Sequence, residues 1–423
     1  MPRRYFGTDG VRGLVGEDLT SDLVERLGHA FAVWTHGGSV LIGRDTRASG
    51  PELERSLAYG LMLGDAEVRL GGILPTPAVA LLAEGTGAVV SASHNPPEYN
   101  GVKFFDAKGY KLSDDAEEEI EVLLSAPSLP VREGSVANPV EEKLGDRYVD
   151  VVCERFGAPL DGLRVALDCA NGAAYEVGPA ALERLGAHVT AVGVEPDGRN
   201  INVGCGATDL SLLKRLFRSG GFDLGIALDG DGDRILAVDA AGNEVDGDQI
   251  LAILALHLGV ELVAVTEMTN LGFHRLMEDR RIRVVTTEVG DRYVLEALRR
   301  EGGVLGGEQS GHVVYLDGHT TGDGVVGALL LCRAVVESGR SLAELAAEMP
   351  RYPQAKANVP VRSKEISATL RARIDELAGE GRVVVRPSGT EPVVRVLAES
   401  ETEEKAEDLC ARIAALVSRE LGS

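Results

Sequence analysis

Short apolar segments that end in polar, glycine-rich loops recur along the chain. Examples are SVLIGRDTR, GAVVSASHNP, LRVALDCANGAA, FDLGIALDGDGDR and LVAVTEMTNLG. Segments with helical spacing, such as DLVERLGHAFAVW and RYVLEALRREG, lie between several of them. Strands that alternate with helices predict βαβ units and an α/β fold with mixed, mainly parallel sheets. Such sheets bind ligands beyond the carboxyl ends of their strands, which is where these polar loops fall.

Linker-like segments divide this pattern into domains. The chain has 423 residues, enough for three or four domains of about 100–150 residues each. We predict three similar α/β domains, at 1–150, 151–246 and 247–352. The last segment, 353–423, reads as a helix, a hairpin and a second helix, which predicts a C-terminal α+β domain.

The net charge of the chain argues against some classes of binding partner. Acidic residues outnumber basic ones by 66 to 43, which gives a formal net charge of −23. A field of that sign repels nucleic acid and anionic membranes, so we expect neither as a partner. An anionic substrate would need a local cluster of arginine, lysine, metal and backbone amides.

The cysteines and the N-terminus bear on location. The five cysteines are scattered and include no CxxC pair, so a reducing cytoplasm is the expected compartment. The segment MPRRYFGTDG has basic residues but no apolar segment behind them, which argues against a secretory signal. No apolar run approaches the roughly 18 residues of a membrane span.

The segment SASHNPPEYNGVKFF, 91–105, follows an apolar run and presents a serine on a rigid loop. Pro96 and Pro97 fix the backbone where neither helix nor sheet can continue. Ser93 is therefore a candidate nucleophile or phosphoryl carrier, although ordinary turn hydrogen bonds of Ser93 and Asn95 explain the same residues. His94 is adjacent to Ser93, and we expect its ring to point away from the hydroxyl, unlike in a serine hydrolase.

The segment LDGDGDR, 228–234, places three carboxylates close together after an apolar strand. Asp229, Asp231 and Asp233 alternate with glycines and repel one another unless a cation neutralises them. Oxygen ligands favour Mg²⁺, with Mn²⁺ or Ca²⁺ as alternatives. Arg234 beside them suits an anionic partner of the metal, such as a phosphoryl group. A polar turn without an ion is the alternative.

The segment RPSGTEP, 386–392, has the composition of a phosphate cradle. Arg386 and Arg395 supply cations across a predicted hairpin, while Ser388, Gly389 and Thr390 offer hydroxyls and an open turn of backbone amides. A plain hairpin turn is the alternative interpretation.

Two further glycine-rich loops carry polar side chains. In GGEQSGH, Glu308, Ser310 and His312 can bind sugar hydroxyls, although a surface loop explains the same residues. In FGTDGVRG, Arg12 is a candidate cation. The segment GDGVVG, 322–327, fits the glycine spacing of dinucleotide-binding loops, but no apolar strand leads into it, which argues against that use.

Together these loops resemble the α-D-phosphohexomutase superfamily. That superfamily carries ASHNP, DGDGDR, GExSGH and RPSGTEP in this order, and the resemblance spans the full chain. It implies that the four domains surround a central cleft. Finer features are RYFGTDGVRG, PDGRNINVGCGATD, MTNLG, EVGDRYVLEAL and Gln309. They resemble the branch that interconverts glucosamine 6-phosphate and glucosamine 1-phosphate on the route to UDP-N-acetylglucosamine.

The resemblance implies a role for each candidate residue. Ser93 would carry a phosphoryl group, and one Mg²⁺ per subunit would be bound by it together with Asp229, Asp231 and Asp233. A sugar 1,6-bisphosphate would be both intermediate and activator. Proton transfer would fall to Lys103, His312 or Arg12, with Arg12, Lys103 and Arg234 close to the phosphoryl group. Sugar hydroxyls would be bound by Glu308 and Ser310, and the second phosphate by Arg386, Ser388, Gly389, Thr390 and Arg395.

The resemblance also implies a homodimer and a mobile last domain. Three alternatives stay open at this point. The first is a phosphoglucomutase or phosphomannomutase, which Gln309 and NINVGCGATD argue against. The others are a metal-dependent sugar phosphatase and a non-catalytic sugar-phosphate-binding protein.

Overall fold

The described residues form four sheets, each with its own covering helices. The structure is a computed structural model that describes residues 4–7, 9–131, 138–379, 381–388 and 391–422. Within those ranges, no helix combines the length and the apolar character needed to cross a membrane. All five cysteines are free thiols.

The first domain is built around a seven-stranded sheet in its described residues. Its strands are β1 (Phe6–Gly7), β2 (Gly10–Leu14), β3 (Gly38–Arg44), β4 (Ala66–Ile73), β5 (Thr86–Val90), β6 (Tyr99–Phe105) and β7 (Val140–Glu141). Its helices are α1 (Ser21–Trp34), α2 (Gly50–Leu63), α3 (Thr76–Leu82) and α4 (Asp114–Leu124). The strand order is β1-β2-β6-β5-β3-β4-β7, parallel from β5 to β7 and antiparallel at the other end.

The second domain contains a five-stranded sheet in the order β12-β11-β10-β8-β9, counted over the described part of the chain. Its strands are β8 (Arg164–Asp168), β9 (His188–Val192), β10 (Leu224–Leu228), β11 (Ile235–Asp239) and β12 (Glu244–Val245). Its helices are α5 (Gly145–Phe156), α6 (Val177–Arg184) and α7 (Ser211–Phe217). Strand β10 is buried along its whole length because it lies between two neighbours with both faces covered, which explains its uniformly apolar sequence.

The third domain has a sheet in the order β14-β13-β15-β16. Its strands are β13 (Leu262–Thr266), β14 (Arg283–Thr287), β15 (Leu305–Gly307) and β16 (Val313–Tyr315). Its helices are α8 (Gly247–Leu258), α9 (Leu271–Asp279), α10 (Asp291–Glu301), α11 (Gly324–Ser338) and α12 (Leu342–Ala346). The side chain of Asp323 accepts from the amides of Val325 and Val326 and so caps α11, which makes GDGVVG a helix start.

The fourth domain has an antiparallel sheet in the order β17-β19-β18. Its strands are β17 (Gln354–Pro360), β18 (Arg382–Pro387) and β19 (Val393–Glu399), and its helices are α13 (Ala368–Ala378) and α14 (Glu403–Leu421). The predicted order of helix, hairpin and helix is therefore present, with β17 added at one edge.

The apolar core joins the first three domains and leaves the fourth separate. One buried cluster runs from Leu41 in β3 through Ile226 in β10 to Leu329 in α11. The fourth domain has its own cluster around Val396 and Ile413. These observations confirm the predicted fold class. The predicted domain boundaries remain a prediction, and the one at 150 falls within α5.

Candidate active site

Most candidate residues of the first three domains lie on loops that follow buried strands, and two lie within strands. Ser93 follows β5, the aspartate-rich loop follows β10, and the loop with Glu308 and His312 joins β15 to β16. Lys103 projects from β6 and Arg12 from β2. The structure brings these loops into direct contact, although the residues they carry are far apart in the sequence.

Ser93 is held with its hydroxyl aimed at the aspartate-rich loop. It is 1% exposed, and its backbone φ of +50° is uncommon for a residue other than glycine. Its Oγ donates to Asp229 Oδ2 over 2.6 Å, and its amide donates to Ser91 Oγ over 2.9 Å. The hydroxyl therefore has one fixed direction, towards the predicted metal site.

Arg47 supports the serine loop from below, and the sequence analysis did not single it out. Its side chain is fully buried and pairs with Asp45 over 2.9 Å. Its guanidinium donates to the carbonyls of Ser93 over 2.9 Å, of Asn95 over 2.8 Å and of Tyr99 over 2.9 Å. One buried arginine thus satisfies the carbonyls of a loop whose prolines prevent regular backbone pairing.

The prediction that His94 points away from Ser93 is wrong. Its Nδ1 lies 3.4 Å from Ser93 Oγ, because the left-handed backbone at Ser93 brings the next side chain alongside the hydroxyl. That separation exceeds the roughly 2.6–3.2 Å of a nucleophile–base pair. Burial, followed by the charges of Arg234 and Arg12, lowers the pKa of His94 to about 4, so its ring is neutral at pH 7.

The three aspartates form a buried group that can hold a metal ion. Asp229, Asp231 and Asp233 each offer an oxygen within 4.8 Å of the others. Asp231 Oδ2 accepts from Thr76 Oγ1 over 2.6 Å and from Lys103 Nζ over 2.8 Å. Asp231 Oδ1 is buried and has no hydrogen-bond partner in the part of the chain that the structure describes. An unsatisfied carboxylate oxygen beside two further carboxylates fits a hard divalent cation such as Mg²⁺.

The electrostatics of the triad support this interpretation. Burial, followed by the negative charges of Asp233 and Asp231, raises the pKa of Asp229 to about 8. Burial acts against the ionisation of Asp233 too, but His312 and Lys103 outweigh it and hold the pKa of Asp233 well below its ordinary value. Burial and mutual repulsion therefore oppose the ionisation of Asp229 beside its neighbours, and a bound cation would relieve that repulsion.

A chain of buried and partly buried ion pairs links the triad to the first and third domains. Lys103 Nζ lies 2.8 Å from Asp9 Oδ2 as well as 2.8 Å from Asp231 Oδ2. Lys111 Nζ then joins Asp9 Oδ1 over 2.8 Å to Asp291 Oδ2 over 2.6 Å. Arg12 also pairs with Asp9. The sequence analysis missed Asp9, Lys111 and Asp291, because only the folded chain places Asp9 beside both lysines and Asp291 of the third domain beside Lys111.

The carboxylates determine the charge of both lysines. Burial lowers the pKa of Lys103, but Asp231 and Asp9 outweigh it and raise the pKa above its ordinary value. Burial likewise lowers the pKa of Lys111, but Asp291 and Asp9 raise it above its ordinary value. Both side chains are therefore cations at neutral pH.

The loop of the third domain places an imidazole between two carboxylates. His312 Nδ1 lies 2.8 Å from Glu308 Oε2, and its Nε2 lies 3.1 Å from Asp233 Oδ1. Although burial lowers the pKa of His312, the carboxylate of Asp233 raises it overall to about 10. Arg234 Nε lies 3.4 Å from His312 Nε2. Ser310 is exposed, and its Oγ donates to Glu308 Oε2 over 3.3 Å.

The arginines of the predicted phosphate cradle lie side by side in the fourth domain. Arg386 in β18 and Arg395 in β19 are direct cross-strand partners. Arg386 Nε lies 3.8 Å from Glu267 Oε1 of the third domain, and Arg395 Nη2 lies 3.1 Å from Glu391 Oε2. Ser388 is buried, and its Oγ accepts from the amide of Glu391 over 3.2 Å.

The cradle is separate from the other three loops. Gly389 and Thr390 lie outside the described residues. No hydrogen bond or ion pair among the described residues joins Arg386, Ser388 or Arg395 to Ser93 or to the aspartates. A cavity of about 420 Å³ adjoins the two arginines, and Met268 of the third domain forms part of its wall.

Comparison with known proteins identifies the family. Sequence models of the phosphoglucomutase/phosphomannomutase family match the chain in four parts. The alpha/beta/alpha domains I, II and III match residues 3–129, 146–242 and 246–352, and the C-terminal domain matches 333–416. The chain therefore belongs to the phosphoglucomutase/phosphomannomutase family and is an intramolecular phosphotransferase. This confirms the resemblance predicted from the four motifs.

Individual proteins of the family are similar to this chain over nearly its full length. The phosphoglucosamine mutase of Clostridium acetobutylicum is 45% identical to this chain, over 98% of the chain and 99% of that protein. The phosphoglucosamine mutase of Saccharopolyspora erythraea is 47% identical, again over 98% of the chain and 99% of that protein. A solved structure of a putative phosphomannomutase from Thermus thermophilus has 25% identity, covers 99% of each chain and superposes with a TM-score of 0.81.

Proposed function

We propose that this enzyme interconverts glucosamine 6-phosphate and glucosamine 1-phosphate and so supplies the synthesis of UDP-N-acetylglucosamine. The observation that carries the proposal is the 2.6 Å contact of Ser93 Oγ with a buried triad of carboxylates. Such a contact is what a phosphoryl carrier beside a metal ion requires. The relatives that share nearly half of its residues over the full chain support the choice of the amino sugar.

Ser93 is the residue that we propose to carry the phosphoryl group. In the first half of the cycle, the phosphoryl group is transferred from Ser93 Oγ to the free hydroxyl of the sugar phosphate, which gives up its proton, and glucosamine 1,6-bisphosphate forms. After the intermediate reorients, its other phosphoryl group is transferred to Ser93 Oγ, which restores the phosphorylated enzyme and leaves the product. Asp229, Asp231 and Asp233 would hold Mg²⁺, which neutralises charge on the phosphoryl oxygens when it is bound.

Proton transfer at the sugar hydroxyl falls to Lys103 or His312, with Arg12 as a third candidate. Asp231 and Asp233 belong to the triad, and they help to raise the pKa values of Lys103 and His312. Neutralisation of the triad lowers both pKa values towards the range in which a side chain can accept a proton.

The remaining candidates bind the substrate. Glu308 and Ser310 lie on the loop beside His312, where they can accept and donate hydrogen bonds to sugar hydroxyls. Arg234 faces the phosphoryl group that is being transferred. Arg386 and Arg395, together with Ser388, Gly389 and Thr390, bind the phosphate that is not reacting. Because the cradle is separate from the other loops, we propose that the fourth domain closes over the substrate.

The proposal also covers the cofactor and activator of the enzyme, its oligomeric state and its location. The enzyme uses one Mg²⁺ per subunit, and a sugar 1,6-bisphosphate activates it by phosphorylating Ser93. It forms a homodimer, which light scattering of the purified protein would test. It works in the cytoplasm, where its free cysteines stay reduced.

The proposal is tested by a competition between substrates. Purified enzyme with Mg²⁺ and glucose 1,6-bisphosphate receives glucosamine 1-phosphate, glucose 1-phosphate or mannose 1-phosphate, and kcat/KM is measured for each 6-phosphate formed. We expect at least a tenfold preference for the amino sugar. Equal or higher values for glucose or mannose would contradict it. Ser93→Ala is the control and should lose turnover while it keeps its melting temperature.

A further inference from the structure

The segment NINVGCGATD, 200–209, has no role in the function proposed above. It belongs to the second domain and lies between β9 and α7. It follows directly on a contact with the first domain, in which the amide of Ala48 donates to the carbonyl of Gly198 over 2.9 Å. Close by, Thr46 Oγ1 donates to the carbonyl of Asn171 over 2.5 Å. The segment is therefore placed against the loops of the first domain that support Ser93.

Asn202 of this segment reaches the serine loop itself. Its Nδ2 donates to the carbonyl of Ser93 over 2.8 Å and to the carbonyl of Asn95 over 3.2 Å. Its Oδ1 is buried and has no hydrogen-bond partner among the described residues. Its own amide is fixed by the carbonyl of Ala170 over 2.9 Å. The hydrogen bonds of this side chain are thus directed at the serine loop.

The carbonyl of Ser93 accepts hydrogen bonds from side chains of two domains. Arg47 of the first domain donates to it over 2.9 Å, and Asn202 of the second domain donates to it over 2.8 Å. The aspartate-rich loop also packs against this carbonyl, since a Cβ on Gly230 would lie 2.6 Å from the carbonyl oxygen of Ser93 and 2.7 Å from Asn202 Nδ2. Arg47, Asn202 and the aspartate-rich loop therefore all meet at the carbonyl of Ser93.

We propose that Asn202 is a positioning residue for phosphoryl transfer. By holding the peptide of Ser93 against the second domain, it sets the place of Ser93 Oγ relative to Asp229 and its neighbours. The inference rests on the proposed function, in which Ser93 carries the phosphoryl group. Ser93 must return to one position for both halves of the cycle, and a displacement of about 1 Å can cost about a hundredfold in rate.

The contacts of Arg47 indicate that the hydrogen bonds of Asn202 position Ser93 and are not needed to keep the serine loop folded. When Asn202 is removed, the guanidinium of Arg47 still binds the carbonyls of Ser93, Asn95 and Tyr99. The serine loop therefore stays folded and loses the tie of its backbone to the second domain, while the bond of Ser93 Oγ to Asp229 Oδ2 remains. We expect a fall in the rate of phosphoryl transfer with little change in substrate affinity.

Asn200 offers a matched control within the same segment. Its Nδ2 donates to the carbonyl of Glu195 over 2.9 Å, and its Oδ1 accepts from the amide of Asp197 over 3.0 Å. These contacts stay within the loop before the segment and do not involve Ser93. Asn200→Ala thus removes the same kind of side chain, two residues away, without touching the serine loop. The backbone φ of Asn202 is +60°, which Asn and Asp tolerate better than Ala, so Asn202→Asp separates the lost donor from backbone strain.

The experiment measures how fast Ser93 is phosphorylated by glucose 1,6-bisphosphate with Mg²⁺, followed by intact mass in rapidly quenched samples. For Asn202→Ala we expect at least a tenfold loss in that rate and in kcat, with KM within twofold of the wild type. Asn202→Asp, which replaces the donor by an acceptor of the same size, should lose at least as much. Asn200→Ala should keep the wild-type rate.

Each outcome has a separate meaning. Wild-type rates in Asn202→Ala, or equal losses in Asn202→Ala and Asn200→Ala, would overturn the role of Asn202 alone. A raised KM with unchanged kcat would also overturn it. A wild-type enzyme that takes no phosphate on Ser93 would overturn this inference and the proposed mechanism together. A preference for glucose phosphates would overturn the choice of sugar and leave the role of Asn202 intact.

Discussion

Asp229 lies between two other carboxylates and under the hydroxyl of Ser93, away from water. Its Oδ1 accepts from the amides of Asp233 and Arg234, each over 3.1 Å, and its Oδ2 accepts from Ser93. These bonds favour the ionised form, but burial and the neighbouring charges outweigh them. In the absence of a metal ion, the raised pKa therefore favours the protonated form of this carboxyl group at pH 7.

The raised pKa of Asp229 predicts that Mg²⁺ binding releases a proton. The cation binds the carboxylate form, so affinity should rise between pH 6 and pH 8 and level off above the pKa of about 8. At pH 7 we expect the release of roughly one proton per ion. Calorimetric titration with Mg²⁺ in two buffers of different ionisation enthalpy measures this number. Identical binding heats in the two buffers would contradict the prediction.

At the scale of elements, the loops with chemistry could be predicted because each one follows its own strand. The apolar run before Ser93 forms β5 and the one before Asp229 forms β10. Both strands could be predicted because strand formation follows from the local pattern of apolar residues. Asp9, Lys111 and Arg47 could not be predicted in the same way. Their partners come from distant parts of the chain or from a loop's carbonyls, and a single sequence does not tell which loops meet.

Helix α8 carries a second unusual carboxyl group, at its second residue. Burial, followed by the charge of Asp246, raises the pKa of Asp248 to about 7, and Glu399 adds to the effect. The amide of Asn270 donates to its Oδ2 over 2.8 Å. In the unfolded chain this group ionises near pH 4, so the folded state binds the additional proton between about pH 4 and pH 7. Stability should therefore fall as the pH rises through this window.

Asp248→Asn tests that dependence. The amide keeps an acceptor for Asn270 and cannot ionise, so we expect its melting temperature to exceed that of the wild type by roughly 5 °C at pH 8.5 and by less at pH 5. Asp22→Asn is the matched control, because Asp22 is also the second residue of its helix, α1, and is exposed. The same difference from the wild type at both pH values would refute the effect.

At the scale of the whole molecule, buried ion pairs hold the first domain against the third. Arg292 of α10 bonds Glu117 of α4 through both terminal nitrogens, one of them over 2.5 Å. Lys111 binds Asp9 on one side and Asp291 on the other. Removal of one partner from such a group leaves an uncompensated buried charge, which costs about 3–5 kcal/mol.

Lys111→Met should therefore lower both stability and activity. It leaves Asp291 without its cation, while Asp9 keeps Lys103 and Arg12, so we expect a loss of about 10 °C in melting temperature and at least a tenfold lower kcat. Lys108→Met is the control, since Lys108 lies three residues earlier and is exposed. Scanning calorimetry and the mutase assay measure the two effects. If the two variants melt together, the bridge between the domains is not a source of stability.

Because the candidate site is assembled from three domains, its parts are synthesised at different times. A ribosome that adds about 5–20 residues per second needs on the order of ten to forty seconds to pass from Ser93 to His312. During that interval Lys103 and Lys111 have been synthesised, but Asp231 and Asp291 arrive only later. Until then these two cations have only Asp9 of their own domain as an ion-pair partner among the described residues. The candidate active site is therefore complete only after the third domain has been synthesised and has docked.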